Sequence, residues 1–375
     1  MSYCGFNLFL RRPQCLPSGL AKPPSESPMS NEKLIVVVGA TGSQGSSVVN
    51  TFLSDSTWRI RALTRDPNSA KAKALVARSS RIGVTSADAN SVESLKQAFE
   101  GAHAVFGMTD FWSLYGDMSN REIAKKEMPL RSFPEWCAEK EATQGKNIFE
   151  AAADIPTLER LIFSSLSNVS KQSGGKYKNV LHFDSKAIAM EWAEGTLPDV
   201  WAKTSCVMLG MYVENFLTQP FLKPYKEGDT FMFHAMKESK SDWPFVAASQ
   251  DTGPIVLALV EKASPDKHVI AYRELMPLKD FIDLWGSTLG VKAGLKYGEL
   301  SGVPEELEPE LRETFEYCAE FGYWGGDRTV LHPKDVGVEI RKENGSVEDW
   351  IKAQDWSSVL SGTRPESVAP VPKTN

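Results

Sequence analysis

The chain has 375 residues, of which 42% are hydrophobic, 24% charged and 10% aromatic, a balance typical of a soluble globular protein with about two domains. Its 42 basic and 48 acidic side chains give a formal net charge of -6, which argues against nucleic acid or an anionic membrane as a partner. No apolar run is long enough to span a bilayer. The five cysteines are scattered, without a C-x-x-C pair or a metal-ligand spacing, so we expect a reducing compartment and no bound metal.

Residues 1–30 are rich in proline and serine and carry Arg11, Arg12 and Lys22 against a single Glu26. Two interpretations are open: a mitochondrial presequence, or a disordered extension upstream of Met29. We favour the second, because the sequence from Met29 runs almost directly into a strand. The prediction is a cytoplasmic protein, with the nucleus as a second location. A second disordered tail is expected over 361–375, which contains three prolines.

From residue 33 the sequence alternates strands and helices. KLIVVV is a β-branched run typical of a strand buried on both faces, and it ends in GATGSQG, which opens a helix that ends near Leu53. WRIRALTR, RIGVTSAD and AHAVFGMTDF predict three further strands, separated by the helical segments SAKAKALVAR and SVESLKQAFEG, the second capped by Ser91. Strands joined by helices in this way predict a parallel sheet with right-handed crossovers.

The next part of the chain is less regular. Residues 111–136 are aromatic and irregular and predict a surface insertion, whereas EKEATQGKNIFEAAADI and DSKAIAMEWAE are helical. LERLIFSSLSN and WAKTSCVMLGMYVENF predict the fifth and sixth strands. The predicted fold class is α/β: a Rossmann-type doubly wound parallel sheet over 31–220, with a smaller α/β substrate lobe over 221–360 that covers the cleft.

Three glycines, Gly39, Gly42 and Gly45, form a G-x-x-G-x-x-G pattern between the first strand and the first helix. Glycines permit a tight turn there and let backbone N–H groups approach a pyrophosphate at the positive end of the helix dipole. The strand before the turn, the helix after it and the following βα units supply the context that this motif requires. The pattern predicts a dinucleotide site.

The end of the second strand discriminates between nicotinamide cofactors. A carboxylate there accepts from a ribose 2′-hydroxyl, whereas an arginine pairs with a 2′-phosphate. Arg65 stands at this tip with Asp66 after it, which favours NADP(H) unless Asp66 turns inward. Asp88 and residues 109–111 follow the third and fourth strands, at the edge where open α/β sheets bind ligands. Asp88 has two compatible roles, as a cap of the next helix or as an acceptor for the adenine amino group.

Six motifs occur in a fixed order along the chain: GATGSQG, LTRDP, IFSSLSN, HFDSK, YVENF and DTGP. Together they resemble the NmrA-like family of atypical short-chain dehydrogenases, whose corresponding segments line an NADP(H) site. Carried over position by position, the resemblance implies cofactor contacts from Gly39, Ala40, Thr41, Gly42, Ser43, Gln44, Arg65, Asp66, Pro67, Asn68, Ser69, Asp88, Ala89, Thr109, Asp110, Phe111, Lys186, Tyr212, Val213, Glu214 and Asn215. A lysine that some relatives carry on the helix before strand five is Thr143 here, with Lys146 as its nearest replacement.

The chain departs from ordinary short-chain dehydrogenases at one position. Those enzymes place a tyrosine four residues before the lysine, on the same helical face, where the lysine assists proton transfer by the phenol. Here His182 stands four residues before Lys186, and Tyr177 lies further upstream in a loop. Lys186 is predicted to hold the nicotinamide ribose. His182 is either a general acid or base, or a residue that packs at the start of the helix.

Aromatic residues concentrate where a pocket lid is expected: Phe111, Trp112, Tyr115, Tyr212, Phe216, Trp243 and Tyr323. They fit either a pocket for a flat apolar ligand or an ordinary core between lobes. Ser164 and Ser165, at the end of the fifth strand, either bind a substrate carbonyl or close the strand.

Two functions follow from these patterns. In the first, the protein is an NADP(H)-dependent oxidoreductase that acts on a small organic substrate of aromatic or secondary-metabolite type, with Lys186 and His182 as its catalytic residues. In the second, it is a catalytically silent NADP(H)-responsive sensor that binds a regulatory partner protein. The missing tyrosine favours the sensor, whereas the aromatic insertion and the large second lobe favour the enzyme.

Overall fold

The computed structural model describes residues 32–298 and 302–362. The expected N-terminal extension, with its mitochondrial alternative, and the tail beyond Gly362 lie outside these residues. Strands and helices alternate through the first half of the described chain: β1 (Lys33–Val37), α1 (Ser43–Ser54), β2 (Trp58–Thr64), α2 (Ala70–Val76), β3 (Ile82–Ser86), α3 (Val92–Phe99), β4 (Ala104–Gly107), α4 (Phe111–Gly116), α5 (Ser119–Glu127), α6 (Phe133–Ala153), β5 (Arg160–Ser165), α7 (Val169–Gln172), α8 (Leu181–Thr196), α9 (Pro198–Trp201) and β6 (Thr204–Leu209).

The second half has shorter strands and more connecting loops. Its elements are β7 (Met211–Tyr212), α10 (Asn215–Thr218), β8 (Tyr225–Glu227), β9 (Thr230–Ala235), β10 (Trp243–Val246), α11 (Ala248–Glu261), β11 (His268–Ala271), β12 (Glu274–Met276), α12 (Leu278–Leu289), β13 (Lys292–Tyr297), α13 (Glu308–Phe321), α14 (Ile340–Asn344), α15 (Val347–Ala353) and α16 (Ser357–Leu360). Among the described residues, no helix has the length and hydropathy needed to cross a bilayer.

Seven strands form a parallel sheet in the order β11, β6, β5, β4, β1, β2, β3. The chain starts in the middle of this sheet, adds β2 and β3 on one side, and then crosses over to add β4 on the other. The predicted Rossmann-type doubly wound sheet is confirmed. In such a sheet the crevice at the carboxyl ends of β1 and β4, where the strand order reverses, is the place where ligands bind.

Alternating residues of β1 face opposite sides of the sheet. Ile35 and Val37 pack in a core with Phe52 of α1, whereas Val36 packs in a second core with Phe99 of α3. The three β1 residues are fully buried. A strand covered by helices on both faces needs apolar residues at consecutive positions, which is why KLIVVV shows no polar alternation.

Residues 111–136 are helical, which corrects the expectation of an irregular insertion. The carboxylate of Asp110 caps the first turn of α4, and Ser132 begins α6 with a capping box. Phe111 and Tyr115 lie in a small core that this region forms with the start of α6. The insertion is therefore a packed element beside the end of β4.

The second half supplies two three-stranded sheets, ordered β12, β10, β7 and β13, β9, β8. They share an aromatic core that includes Phe233, Phe245 and Trp285. The predicted sixth strand is split, because β6 ends at Leu209 and β7 joins a different sheet. The lobe division at residue 220 stays a prediction, but β11 and α11, both beyond it, belong to the large sheet and its helical layer.

Candidate functional site

The glycine turn after β1 is built so tightly that side chains are excluded. Gly39 adopts φ +67°, a left-handed conformation that favours glycine, and its carbonyl accepts from Gly42 N at 2.9 Å. A Cβ on Gly45 would lie 2.3 Å from the carbonyl oxygen of Gly39. The turn therefore brings backbone directly against the start of α1, as an approaching pyrophosphate requires.

The first turn of α1 has free hydrogen-bonding capacity. Gly42 is its N-cap residue, no side chain caps the helix, and its first turn contains no acidic residue. The buried Gln44 donates from Nε2 to the Tyr212 hydroxyl at 2.7 Å, while its Oε1 has no hydrogen-bond partner in residues 32–298 and 302–362. Uncapped N–H groups at a helix start favour an anion. These features fit a bound pyrophosphate.

The loop after β2 leaves Arg65 available. Its side chain is exposed and forms no hydrogen bond or ion pair within the described residues. Asp66 instead accepts from Asn68 N at 2.8 Å, and Ser69 caps α2. Asp66 therefore organises the loop, and the guanidinium of Arg65 is an unpaired cation at the tip of β2 among the described residues.

Asp88 shapes the loop after β3 and does not cap α3. Its Oδ1 accepts from the backbone and side-chain nitrogens of Asn90, each at 2.9 Å, while Ser91 caps the helix as predicted. Asn147 of α6 donates to the carbonyl of Ala89 at 2.9 Å. The helix-capping alternative for Asp88 is therefore wrong, and its role toward adenine stays a prediction.

A buried carboxylate, Glu141 on α6, joins the end of β4 to α8. Its oxygens accept from Thr109 Oγ1 and Phe111 N, each at 2.9 Å, and from Ser185 Oγ and Lys186 Nζ. Its side chain is fully buried, and that of Lys186 is 9% exposed. No motif or spacing singles out Glu141 among the glutamates of this helix.

The two predicted catalytic side chains lie on the first turns of α8, which begins at Leu181 and so includes His182. Lys186 Nζ also donates to the carbonyl of His182 at 3.1 Å. The His182 ring contacts Glu310 of α13 through Nδ1, and its centroid lies 5.1 Å from that of Trp112. Glu310, like Glu141, was missed by sequence reasoning.

The Y-x-E-N segment has both structural and site-facing residues. Val213 is buried, and Glu214 caps α11 by accepting from Ala248 N and Ser249 N at 3.3 and 3.2 Å. Burial raises the pKa of the Glu214 carboxyl, which the α11 bonds partly offset. Burial likewise raises the pKa of Tyr212, whose hydroxyl meets Gln44. Tyr212 is the member of this segment that the structure joins to the glycine turn.

The remaining predicted residues make contacts within the protein. The Tyr177 hydroxyl donates to Glu320 at 2.8 Å, so it does not replace the missing tyrosine. The Lys146 ammonium lies over the Trp192 ring. The aromatic set divides: Phe111 and Tyr115 pack in the insertion, whereas Phe216, Trp243 and Tyr323 pack in the core of the second half. Ser164 and Ser165 are both 2% exposed in β5.

The sheet order and the glycine turn define a Rossmann-type α/β protein whose crevice suits a dinucleotide. The NmrA-like family profile matches residues 31–358, and the chain belongs to this family. The resemblance stated from the motifs is confirmed.

Several described proteins and solved structures are similar to this chain. An NmrA-like family domain-containing oxidoreductase of Aspergillus campestris is 26% identical over 358 residues, covering 87% of this chain and 98% of the relative. NmrA, a negative transcriptional regulator, covers 88% of this chain and 98% of its own in complexes with NAD (TM-score 0.66, 19% identity) and NADP (0.65, 18%). A NADPH-dependent quinone oxidoreductase of Escherichia coli, complexed with NADPH, has a TM-score of 0.56 at 18% identity, covering 82% and 98%.

Proposed function

We propose that the protein is an NADP(H)-dependent oxidoreductase that reduces a carbonyl group on a flat, conjugated organic molecule, including those of secondary metabolism. One observation carries the proposal. Through Glu141, the helix that bears His182 and Lys186 is tied to the end of β4, next to the uncapped glycine turn at the end of β1. A proton-transferring side chain and a dinucleotide-binding turn thus share one edge of the sheet.

Arg65 supports NADP(H) in preference to NAD(H). Charge-assisted hydrogen bonds contribute about 1.5–3 kcal/mol, which corresponds to an affinity difference of about 10- to 150-fold. The NmrA regulator was solved with NAD and with NADP, and the quinone oxidoreductase with NADPH. The exposed guanidinium is the feature of this chain that discriminates between the two coenzymes.

The chemistry divides between coenzyme and protein. When bound, the reduced nicotinamide supplies a hydride to the carbonyl carbon. Protonated His182 gives the Nε2 proton to the carbonyl oxygen as the alcohol forms, and the ring then recovers a proton from solvent. Lys186, held by Glu141, presents its ammonium to the ribose hydroxyls. The same ammonium donates to the carbonyl of His182, one turn earlier on the helix.

The substrate class is proposed from the aromatic residues near His182. Trp112 of α4 lies 5.1 Å from the His182 ring and 6.5 Å from Phe221 by centroid, and both aromatic residues are partly exposed. Trp112 and Phe221 contact each other and present aromatic surface beside His182, which favours flat, conjugated ligands. Quinones, aryl ketones and enones fit this chemistry.

The test is turnover with purified protein. NADPH absorbance is followed with phenanthrenequinone or an aryl enone, with cyclohexanone as the non-aromatic carbonyl. We expect oxidation of NADPH with the conjugated carbonyls, and a loss of about 100- to 10,000-fold in kcat for His182→Ala with NADPH affinity retained. Tight NADPH binding without turnover on any of these carbonyls would overturn the enzymatic proposal.

A second candidate is a catalytically silent sensor whose affinity for a regulatory partner protein depends on NADP(H). It is favoured by the absence of a tyrosine four residues before Lys186, and the structurally similar NmrA is a negative transcriptional regulator. For either function we propose the cytoplasm, with the nucleus as a second location. The free thiols of Cys137, Cys206 and Cys318 support a reducing compartment.

A further inference from the structure

A carboxylate from the second half of the chain reaches the start of the helix that carries both candidate catalytic residues. Glu310 of α13 accepts from Leu181 N at 2.7 Å and from His182 N at 3.5 Å, and it contacts Nδ1 of the His182 ring. Its side chain is 1% exposed. One buried carboxylate therefore serves both the backbone and the imidazole of the same helical turn.

Capping alone does not account for the contact with the ring. One turn further along α13, Glu313 accepts from Lys178 N at 2.7 Å and from Asn179 N at 2.8 Å and touches no imidazole. Both carboxylates satisfy backbone donors that precede or begin α8. Glu310 differs from Glu313 because it also contacts the side chain of His182. A comparison of the two residues therefore distinguishes anchoring of the helix from orientation of the imidazole.

The surroundings of the imidazole leave its other nitrogen for a ligand. The ring centroid lies 4.7 Å from that of Phe183 and 6.2 Å from that of Phe111, so apolar rings flank the imidazole. Over the described ranges Nε2 has no hydrogen-bond partner, and the His182 side chain is 14% exposed. A carboxylate that accepts from Nδ1–H fixes the tautomer in which Nε2 is the nitrogen that exchanges a proton.

We propose that Glu310 is a positioning residue that holds His182 with Nε2 directed at the substrate carbonyl. This inference rests on the proposed function and adds a contribution from α13 to the site. Glu310 accepts from Nδ1–H before and after transfer, so the proton lost to the carbonyl oxygen comes from Nε2. The helix of the second half is thereby part of the proton-transfer machinery.

The kinetic test compares Glu310→Gln with the matched control Glu313→Gln. Both variants replace a buried carboxylate on the same helix by an isosteric amide. We expect Glu310→Gln to lower kcat by at least about tenfold, within the range for general acid–base catalysis, with the KM for NADPH unchanged. Glu313→Gln retains kcat. Equal kcat in the two variants overturns the inference. If Glu310→Gln does not fold, Glu310→Asp replaces it, since the shorter carboxylate keeps its charge but withdraws from the ring.

A second measurement does not depend on turnover. Nitrogen-15 NMR of the wild-type protein at alkaline pH reports which ring nitrogen of His182 carries the proton, with the signal assigned from His182→Gln. We expect the proton on Nδ1, and a proton on Nε2 overturns the inference. If the wild type binds NADPH but reduces no carbonyl, the proposed function fails, and the NMR result still decides whether Glu310 orients the ring.

Discussion

At the scale of single residues, a substitution at Arg65 tests the preference for NADPH over NADH. Its guanidinium forms no hydrogen bond or ion pair within the described chain, and Asp66 accepts a hydrogen bond from Asn68 N of the same loop. Arg65→Ala should weaken NADPH binding by about 10- to 150-fold and leave NADH binding unchanged, because only NADPH carries the 2′-phosphate. Titration calorimetry with both coenzymes measures this. Arg78→Ala, at an exposed arginine just after α2, is the control. An equal loss for both coenzymes would show that Arg65 does not read the phosphate.

A substitution at Glu141 tests how much a buried ion pair contributes to the free energy of unfolding. Removing one partner of a buried ion pair costs about 3–5 kcal/mol, because the other charge is left unpaired. Glu141→Gln should lower the free energy of unfolding by this amount, as measured by urea denaturation. Lys33 and Glu159 form an exposed pair, 47% and 50% exposed, so Glu159→Gln should cost less than about 1 kcal/mol. Similar effects at the two sites would contradict the buried-pair assignment.

The residues that could be predicted from the sequence are those whose motif lies within a short segment of the chain. The glycine turn and Arg65 were found because their spacing from predicted strands is fixed by the βα unit itself. Glu141 and Glu310 were missed because their partners are distant: Glu141 lies 45 positions from Lys186, and Glu310 lies 128 from His182. No periodicity of a helix indicates which of its several glutamates faces such a partner.

At the scale of elements, residues of the DTGP motif hold α11 in place and pack it on α1. Asp251 forms a buried ion pair with Arg273 at 2.6 Å and accepts from Ala247 N at 2.8 Å. Gly253 N donates to Ser47 Oγ of α1 at 2.9 Å. The motif therefore holds α11 against α1, the helix that follows the glycine turn.

Gly253→Ala tests this helix contact. A Cβ there would lie 2.1 Å from Thr51 Oγ1 and 2.3 Å from the carbonyl oxygen of Ser47, so the helices would have to separate. We expect a loss of about 1–3 kcal/mol in the free energy of unfolding. Gly195→Ala in α8 is the control, since nothing lies within 4 Å of its Cβ position and alanine favours helix by about 0.5–1 kcal/mol. Two variants of equal stability would contradict close packing of α1 and α11.

Element prediction succeeded for the sheet and failed for the insertion. Buried parallel strands show continuous apolar runs, so β1, β4 and β5 could be predicted from the sequence. Strands β2 and β3 have polar residues between apolar ones and were predicted from their place between helical segments. The helices α4 and α5 are short, with 6 and 9 residues, so periodicity over a longer window does not detect them. The cap at Asp110 sets the start of α4, and the cap at Ser132 begins the long helix α6. The seventh strand of the large sheet, β11, was missed because strands β7 to β10 of the two small sheets separate it along the chain from its partner β6.

At the scale of the whole molecule, buried thiols and phenols make stability fall at high pH. Burial raises the pKa of Cys137 and of Cys206 from 9.0 to about 12, and it also raises the pKa of Tyr115. Between about pH 9 and pH 12 the unfolded chain loses these protons while the folded chain keeps them, so the free energy of unfolding falls as pH rises.

Urea denaturation at about pH 8 and about pH 10.5 measures this alkaline loss, and Cys206→Ala should reduce it by about 1–2 kcal/mol because one ionising thiol is gone. The comparison is between the pH dependences of the two proteins, so the cost of the small cavity cancels. An unchanged pH dependence in the variant would contradict ionisation of Cys206 as a cause.

For the whole molecule, we expect an NADP(H) dinucleotide to bind where the glycines of the β1 turn meet the start of α1, with Arg65 at its 2′-phosphate. Titration calorimetry of the purified protein with NADPH and then NADH tests it directly. We expect saturable binding of one NADPH per chain, tighter than NADH by about 10-fold or more. Absence of saturable binding by either coenzyme to the folded protein would contradict it.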